Sequence, residues 1–298
     1  MAAPFALYDR PTDTRTQRIL TEQESGIPGL RMIGRNLAYQ AAAPLDDHFH
    51  PDCFEFSYLV QGNILFRVAG QDYPLSGGDV FVTFPDEVHS TGSIPLSLHK
   101  MYWLQLEASS PEHFLFLDPQ AAAWMIAKLR QLPARVVKLD KNATLVFRLL
   151  FANLEEGGQA GRYQAAALLQ SLLCQILKAA SRQQPRLTPD IAQAREYILS
   201  HLDQPLPLEE LAAQSLLSLS RFKQKFKDQV GTGPRNFINY HKIELAKTML
   251  LQGTSATDVA MDLGFSGSDY FSVVFRRYTS LSPSEYKAQQ QNTGAHQI

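Results

Sequence analysis

A chain of 298 residues with 45% hydrophobic and 19% charged side chains has the make-up of a globular protein with room for two ordinary domains, which excludes disordered and fibrous classes. Its net charge of −1 marks no general nucleic-acid binder, yet the charge is unevenly placed: Arg221, Lys223, Lys225 and Lys227 crowd one short segment and Arg276-Arg277 another. No run approaches the ~20 apolar residues of a membrane span, the opening MAAPFALYDRPTD lacks a secretory pattern, and Cys53 and Cys174 stand far apart without metal-site spacing. A cytoplasmic location with no membrane partner is the expectation.

In chain order, residues 30–106 read as short strands. Residues 54–60 and 64–68 are rich in aromatic and branched side chains, and turn residues (Gln61-Gly62-Asn63, 69–72, 76–79) separate the runs. That spacing predicts a small all-β barrel or sandwich. Inside it, His48-Phe49-His50, Glu55 and Gly62 have the spacing H-x-H-x4-E-x6-G, followed by Gly78-Asp79-Val80, Pro85 and His89. Side chains two apart on a strand share a face, so His48 and His50 belong together, with Glu55 and His89 able to converge on them. Tyr102 and Trp103 offer aromatic faces suited to a sugar ring or an apolar ligand, with core packing an equal alternative for both. Arg67 and Lys100, charged residues in strand-like surroundings, suit an anionic one. Three uses of the His48, His50, Glu55 and His89 set stay open at this point: a small-molecule effector pocket, a divalent-metal site, and side chains satisfied by one another as structure.

From about residue 111 the period becomes helical. Residues 121–129 and 142–154 are amphipathic, and 162–180 form a helix apolar on most faces that has to be buried somewhere. Leu168, Leu169, Leu172, Leu173 and Ile176 can pack onto the barrel or onto a second subunit: core packing is the expected use of any one of them, and a homodimer seam that of part of the stripe. Residues 181–190, polar with two prolines, read as a linker, and everything after them reads as helix. The division expected is 1–180, 181–190 and 191–298.

The last hundred residues contain a repeat. Phe226 matches Phe275, Pro234 matches Pro283 and Phe237 matches Tyr286, each pair 49 positions apart. Each copy has a short helix (208–215, 257–263), a turn, a serine suited to capping (Ser218; Ser266 or Ser268) and a second helix with phenylalanines at i and i+4. The residues between those phenylalanines are polar and face outward. This is the pattern of a helix-turn-helix, whose second helix enters the major groove. The outward residues are Ser220, Arg221, Lys223 and Gln224 in the first copy and Ser268, Asp269, Tyr270 and Ser272 in the second. Gln pairs well with adenine and Arg or Lys with guanine, while Lys227, Arg276 and Arg277 suit phosphates. Residues 235–251 would join the two units.

Residues 190–288 resemble the AraC/XylS family of transcription regulators. The resemblance rests on Glu210-Leu211-Ala212, Phe222-x3-Phe226-Lys227, Gly231-x2-Pro234-x2-Phe237, Ala246-x3-Leu250-Leu251, Val259-Ala260-x2-Leu263-Gly264-Phe265, Tyr270-Phe271-x3-Phe275 and Ser282-Pro283-x2-Tyr286. Two positions depart from it: Leu216 stands where the family usually has the turn glycine, and Val273 where many relatives have arginine. The histidine-containing segments in turn resemble the cupin motifs, the second in compressed form with Glu87 at a usual glycine. In metallocupins such a set binds a divalent metal, whereas in AraC-type regulators a cupin holds an effector, often a sugar.

The fold expected is therefore α+β: a cupin-like β-barrel with flanking helices, then an all-α domain of two helix-turn-helix units. The function implied is a sequence-specific regulator, not an enzyme, that binds double-stranded DNA and a small-molecule effector, works with RNA polymerase, dimerises and needs no cofactor. A metal-dependent cupin enzyme with an accessory helical domain is the alternative, and a DNA-binding protein with no effector is a third reading.

Overall fold

Strand pairing in the N-terminal part follows the alternation of the sequence. The computed structural model describes residues 14, 16–92, 96–140, 142–181 and 187–294. It forms β1 (Gln17–Thr21), the one-turn α1 (Glu22–Ser25), β2 (Leu30–Ala38), β3 (Cys53–Gln61), β4 (Asn63–Val68), β5 (Gln71–Ser76), β6 (Asp79–Thr83), β7 (His89–Ser90) and β8 (His99–Glu107). A 3-10 turn at Phe114–Phe116, α2 (Pro119–Arg130), β9 (Val136–Lys138), α3 (Ala143–Glu156) and α4 (Gly158–Ala180) complete this part. One sheet has the order β1-β2-β8-β3-β6-β9 and the other β5-β4-β7. The short β1 and β9 lie outside the strand-rich block legible in the sequence.

The central strand β3 runs antiparallel to β6 and β8, and its register sorts the side chains into two faces. Phe56 pairs with Val82 and Leu104, and Tyr58 with Val80 and Tyr102. That face is apolar and joins one buried cluster with Phe147, Phe151, Leu169, Leu172, Leu173 and Ile176 of α3 and α4. Tyr58 and Tyr102 both stack on Phe147, with ring centroids 4.8 and 5.1 Å apart. The apolar side chains of α4 thus have a use within their own chain, where each buried leucine contributes about 1.5–3 kcal/mol. Leu169, Leu172, Leu173 and Ile176 are buried and Leu168 is half-buried, so this stripe is core, as expected of its residues singly, and not the homodimer seam expected of part of it.

The opposite face carries Glu55, paired with Thr83 and Gln105, and Ser57, paired with Phe81 and Trp103. Phe81 stacks at 4.6 Å on Phe66 of β4 in the second sheet. This face is the barrel interior.

The described residues fall into two compact units. The second takes α5 (Pro189–Ser200), α6 (Leu208–Gln214), α7 (Leu219–Val230), α8 (Pro234–Leu251), α9 (Ala256–Asp262), α10 (Ser268–Thr279) and α11 (Pro283–Gly294). Short stretches at Ala38–Ala43 and ending at Leu98 group with it. Of the expected linker, 182–186 lie outside the described residues, and Pro189 and Asp190 already open α5. Each repeat has its own core: Phe222, Phe226 and Phe237 with Ile191, Ile198 and Leu211 in the first, and Phe271, Phe275 and Tyr278 with Ile243, Val259 and Leu263 in the second.

Candidate DNA interface and effector pocket

Helix α7 is positioned by a serine cap and a phenylalanine pair. The Arg221 N–H donates to Ser218 Oγ at 3.3 Å, satisfying one of the helix's first free donors. Phe222 and Phe226 point into the core, which leaves Ser220, Arg221, Lys223, Gln224 and Lys227 all exposed. Lys225 does not join them, because its Nζ is 2.7 Å from Asp190 Oδ2 on α5. Gln224 Nε2 donates to Asp228 Oδ1 at 2.7 Å, so its amide is held parallel to the helix surface one turn on.

Helix α10 starts differently from the expectation. Gly267, in extended backbone at φ 167°, takes the capping position without a side-chain bond, so neither Ser266 nor Ser268 caps it. The physical reason is an extra residue: the left-handed turn residues Leu216 and Gly264 are 48 apart while the caps Ser218 and Gly267 are 49 apart. Asp269, Tyr270, Val273, Arg276 and Arg277 are exposed and Ser268 and Ser272 half-buried. Arg276 pairs with Glu285 of α11 at 3.1 Å.

The joining helix α8 supplies a residue that sequence reasoning missed. Lys242 is only 4% exposed. Its Nζ donates to the Gln204 carbonyl at 2.8 Å and to the Leu263 carbonyl at 2.5 Å and lies 5.5 Å from the Phe265 ring centroid. One ammonium therefore ties the segment before α6 to the turn after α9, fixing the two helix-turn-helix units to each other. Burial, then the neighbouring Arg235, lowers its pKa to about 8 against the opposing pull of Asp203.

In the barrel, His48, His50 and His89 come together as their spacing suggested. They sit at the ends of loops, with His48 and His89 joined backbone to backbone: His48 N–H donates to the His89 carbonyl at 3.0 Å and the reverse bond is 2.8 Å. Glu55 Oε2 is 3.0 Å from His50 Nε2. Burial raises the Glu55 pKa, but the hydrogen bond to His50 and the charges of His50, His89 and His48 more than reverse it, leaving the carboxyl well below the usual carboxylate range. Gln105 Nε2 lies 3.2 Å from Glu55 Oε2 and as near the His50 ring. Trp103 shares this interior face and lies directly over Gly34, where a Cβ would collide with the indole. Tyr102 does not reach the pocket: it faces the helices, buried against Phe147 and Phe151. Arg67 is spent on a bidentate, half-exposed pair with Asp72 at 2.6 and 3.0 Å. Gln105, Ser57 and Thr83 were missed, although Ser57 is two residues from Glu55 and Gln105 two from Trp103, the parity of the inner face.

A helix-turn-helix domain family profile matches residues 211–289, and an AraC-like ligand binding domain profile matches 38–173. The chain belongs to the AraC family of transcription regulators. The HTH-type transcriptional activator RhaS of Klebsiella pneumoniae is 26% identical over 83% of this chain and 88% of its own length. The arabinose operon regulatory protein of Escherichia coli is 27% identical over 77% of this chain and 78% of its own. The C-terminal domain of AraT, a response regulator from Geobacillus stearothermophilus, is similar over 35% of this chain and 88% of that domain, at 27% identity and a TM-score of 0.34.

As an AraC-family regulator the chain binds DNA through its two helix-turn-helix units and a small molecule through its N-terminal domain. Both departures noted in the sequence have structural outcomes. Leu216 does adopt the left-handed backbone, at φ 55°, and Val273 stays exposed on α10 at 67%. No described helix is long and apolar enough to cross a membrane.

Proposed function

We propose that this regulator acts as a cytoplasmic homodimer, that α7 and α10 enter successive major grooves about 34 Å apart on one face of the duplex, and that a sugar or related metabolite in the barrel sets the output of RNA polymerase. The observation that carries the effector reading is the contrast between the two faces of one sheet. On the helix-packed face Phe56 pairs with Val82 and Leu104, and Tyr58 with Val80 and Tyr102, whereas the inner face bears Glu55, Ser57, Thr83 and Gln105 beside the half-buried Trp103. Small-molecule sites combine an aromatic or apolar wall with a few fixed polar groups in this way, and the name of the arabinose operon relative directs the choice to sugars.

In the DNA reading, Arg221, Lys223, Gln224 and Ser220 face bases from α7, with Ser268, Asp269, Tyr270 and Ser272 on α10, while Lys227, Arg276 and Arg277 hold phosphates. The chain is a binding protein and not an enzyme, since a cupin enzyme would leave the tandem repeat without a role. The exposed Leu145 and Leu149, one turn apart on α3 and 52% and 44% accessible, are the apolar surface that supports a dimer. Effector binding shifts the balance between arrangements only if its affinity differs between them.

Footprinting of purified protein on its own upstream DNA tests the reading. The expected protection is roughly 17–20 bp per chain, weakening with salt. Absence of both protection and salt-dependent binding overturns it. A thermal-shift panel of sugars tests the pocket: a ligand at about 100 times its Kd stabilises by about 2.7 kcal/mol.

A further inference from the structure

The second helix of the second repeat carries one side chain that its polar neighbours do not explain. Helix α10 turns Phe271, Val274, Phe275, Tyr278 and Thr279 inward, and Val273 stands outside them, 67% exposed. Among the described residues it is the one aliphatic side chain exposed on α7 or α10. Asp269 and Tyr270 one turn before it and Arg276 and Arg277 one turn after it are exposed as well. Arg276 reaches Glu285 at 3.1 Å, and the Tyr270 ring lies 6.2 Å from that of Phe265. The isopropyl group thus sits at the middle of an outward stripe whose flanking members are engaged with neighbouring segments. A lone valine is ordinary on a protein surface; the place of this one is not. The repeat relates positions 49 apart: Phe222 and Phe226 on α7 answer to Phe271 and Phe275 on α10, and the cap Ser218 answers to Gly267. Val273 therefore occupies on α10 the place that the exposed Gln224 holds on α7.

We propose that Val273 selects a T·A base pair in the operator by packing its isopropyl group on the C5 methyl of thymine. Valine has nothing to offer the donors and acceptors on the base edges, and thymine alone presents an apolar group in the major groove. Set against any other base, the same side chain would strip water from a polar edge and return no hydrogen bond. The preference therefore has a repulsive half as well as an attractive one. The β-branch prepares the contact: in a helix valine holds a single χ1 rotamer in about nine cases of ten, so little side-chain freedom is lost when the methyl arrives. An arginine here, as many relatives have, would favour guanine. Valine changes the base preferred and does not merely remove a charge. The proposal rests on the reading of α10 as a major-groove helix and names a base for it.

The test scans the protein's own upstream DNA with the full chain, replacing one thymine at a time by uracil, which removes the C5 methyl and keeps the base pair. At one thymine inside the footprint the exchange should weaken binding by wild type about fourfold, the affinity equivalent of one buried methyl group. Val273→Ala should bind unmodified DNA about fourfold more weakly or worse, and should not respond to uracil at that position. Its salt dependence should match that of wild type, because a methyl contact neutralises no phosphate, and an unchanged denaturation midpoint shows that it is folded. A footprint in which no thymine responds, or in which wild type and Val273→Ala respond alike at every thymine, overturns the contact and leaves the regulator reading standing. Absence of any footprint sinks the major-groove reading and the contact with it.

Discussion

At the first helix-turn-helix, Leu216 and Gly264 in the second hold the same left-handed turn, at φ 55° and 59°. In both copies the following N–H closes the helix end, Leu217 to the Ala212 carbonyl at 3.0 Å and Phe265 to the Ala260 carbonyl at 2.9 Å. Their surroundings differ. Leu216 is 93% exposed, so its side chain packs on nothing and only the backbone strain remains, about 1–2 kcal/mol for a non-glycine residue. A Cβ on Gly264 would instead run into the Gln204–Pro205 peptide. Leu216→Gly should therefore stabilise by up to about 1 kcal/mol, read as a raised denaturation midpoint, while Gly264→Ala should cost at least about 2 kcal/mol. A destabilised Leu216→Gly would show that the leucine makes contacts its exposure denies. Neighbouring Tyr102 and Trp103 make a similar contrast. Tyr102→Ala, opening a hole beside Phe147, should cost about 3–5 kcal/mol; Trp103→Ala should spare most of the stability and abolish thermal shifts by sugars. Unchanged sugar shifts in Trp103→Ala would remove the indole from the effector pocket.

Between elements, α7 and α10 divide the electrostatic work unequally. Lys223 and Lys227 are exposed on α7, whereas Val273 replaces a cation on α10 and Arg276 is engaged with Glu285. That pair is 61% and 55% exposed, the kind of surface bridge that contributes little and can be exchanged for a phosphate. Each phosphate neutralised contributes about 0.9 to the slope of log affinity against log salt. The double change Lys223→Ala and Lys227→Ala should lower that slope by about 1, through the phosphate that Lys227 holds, and Ser268→Ala with Ser272→Ala should leave it unchanged. The opposite ranking in a salt titration would reassign the anchoring role to α10. Lys242 makes the division meaningful, because its bonds to the carbonyls of Gln204 and Leu263 hold both units as one reading surface.

Across the DNA-binding unit, stability responds to acid through His241. It packs edge-on to Phe237 at 4.4 Å. Burial, with Arg195 nearby, lowers its pKa from 6.5 to about 4. Between those values the unfolded chain binds a proton that the folded chain refuses. The contribution is therefore complete above pH 6.5, declines as pH falls towards about 4 and is level below. Denaturant unfolding of wild type and His241→Gln across this window should show a steeper acid loss for wild type; parallel curves would remove His241 as a cause.

Much of this was legible in the chain. The 49-residue repeat, the phenylalanine pairs of α7 and α10, the cap at Ser218 and the histidine spacing each depend on residues close in sequence, where helix and strand periods and local hydrogen bonds decide the outcome. Other features depended on which surfaces meet. The inward turn of Trp103, Gln105 and Ser57 and the outward turn of Tyr102 come from the register of β3 between β6 and β8, and a slip of one residue would exchange them. The fate of the α4 leucines was decided by the sheet face that covers them, and the burial of Lys242 by two carbonyls from distant turns. Local chemistry in the sequence determined the elements, their order and the family; non-local packing, which one chain's periodicities do not encode, decided which side chains face a ligand, a core or DNA.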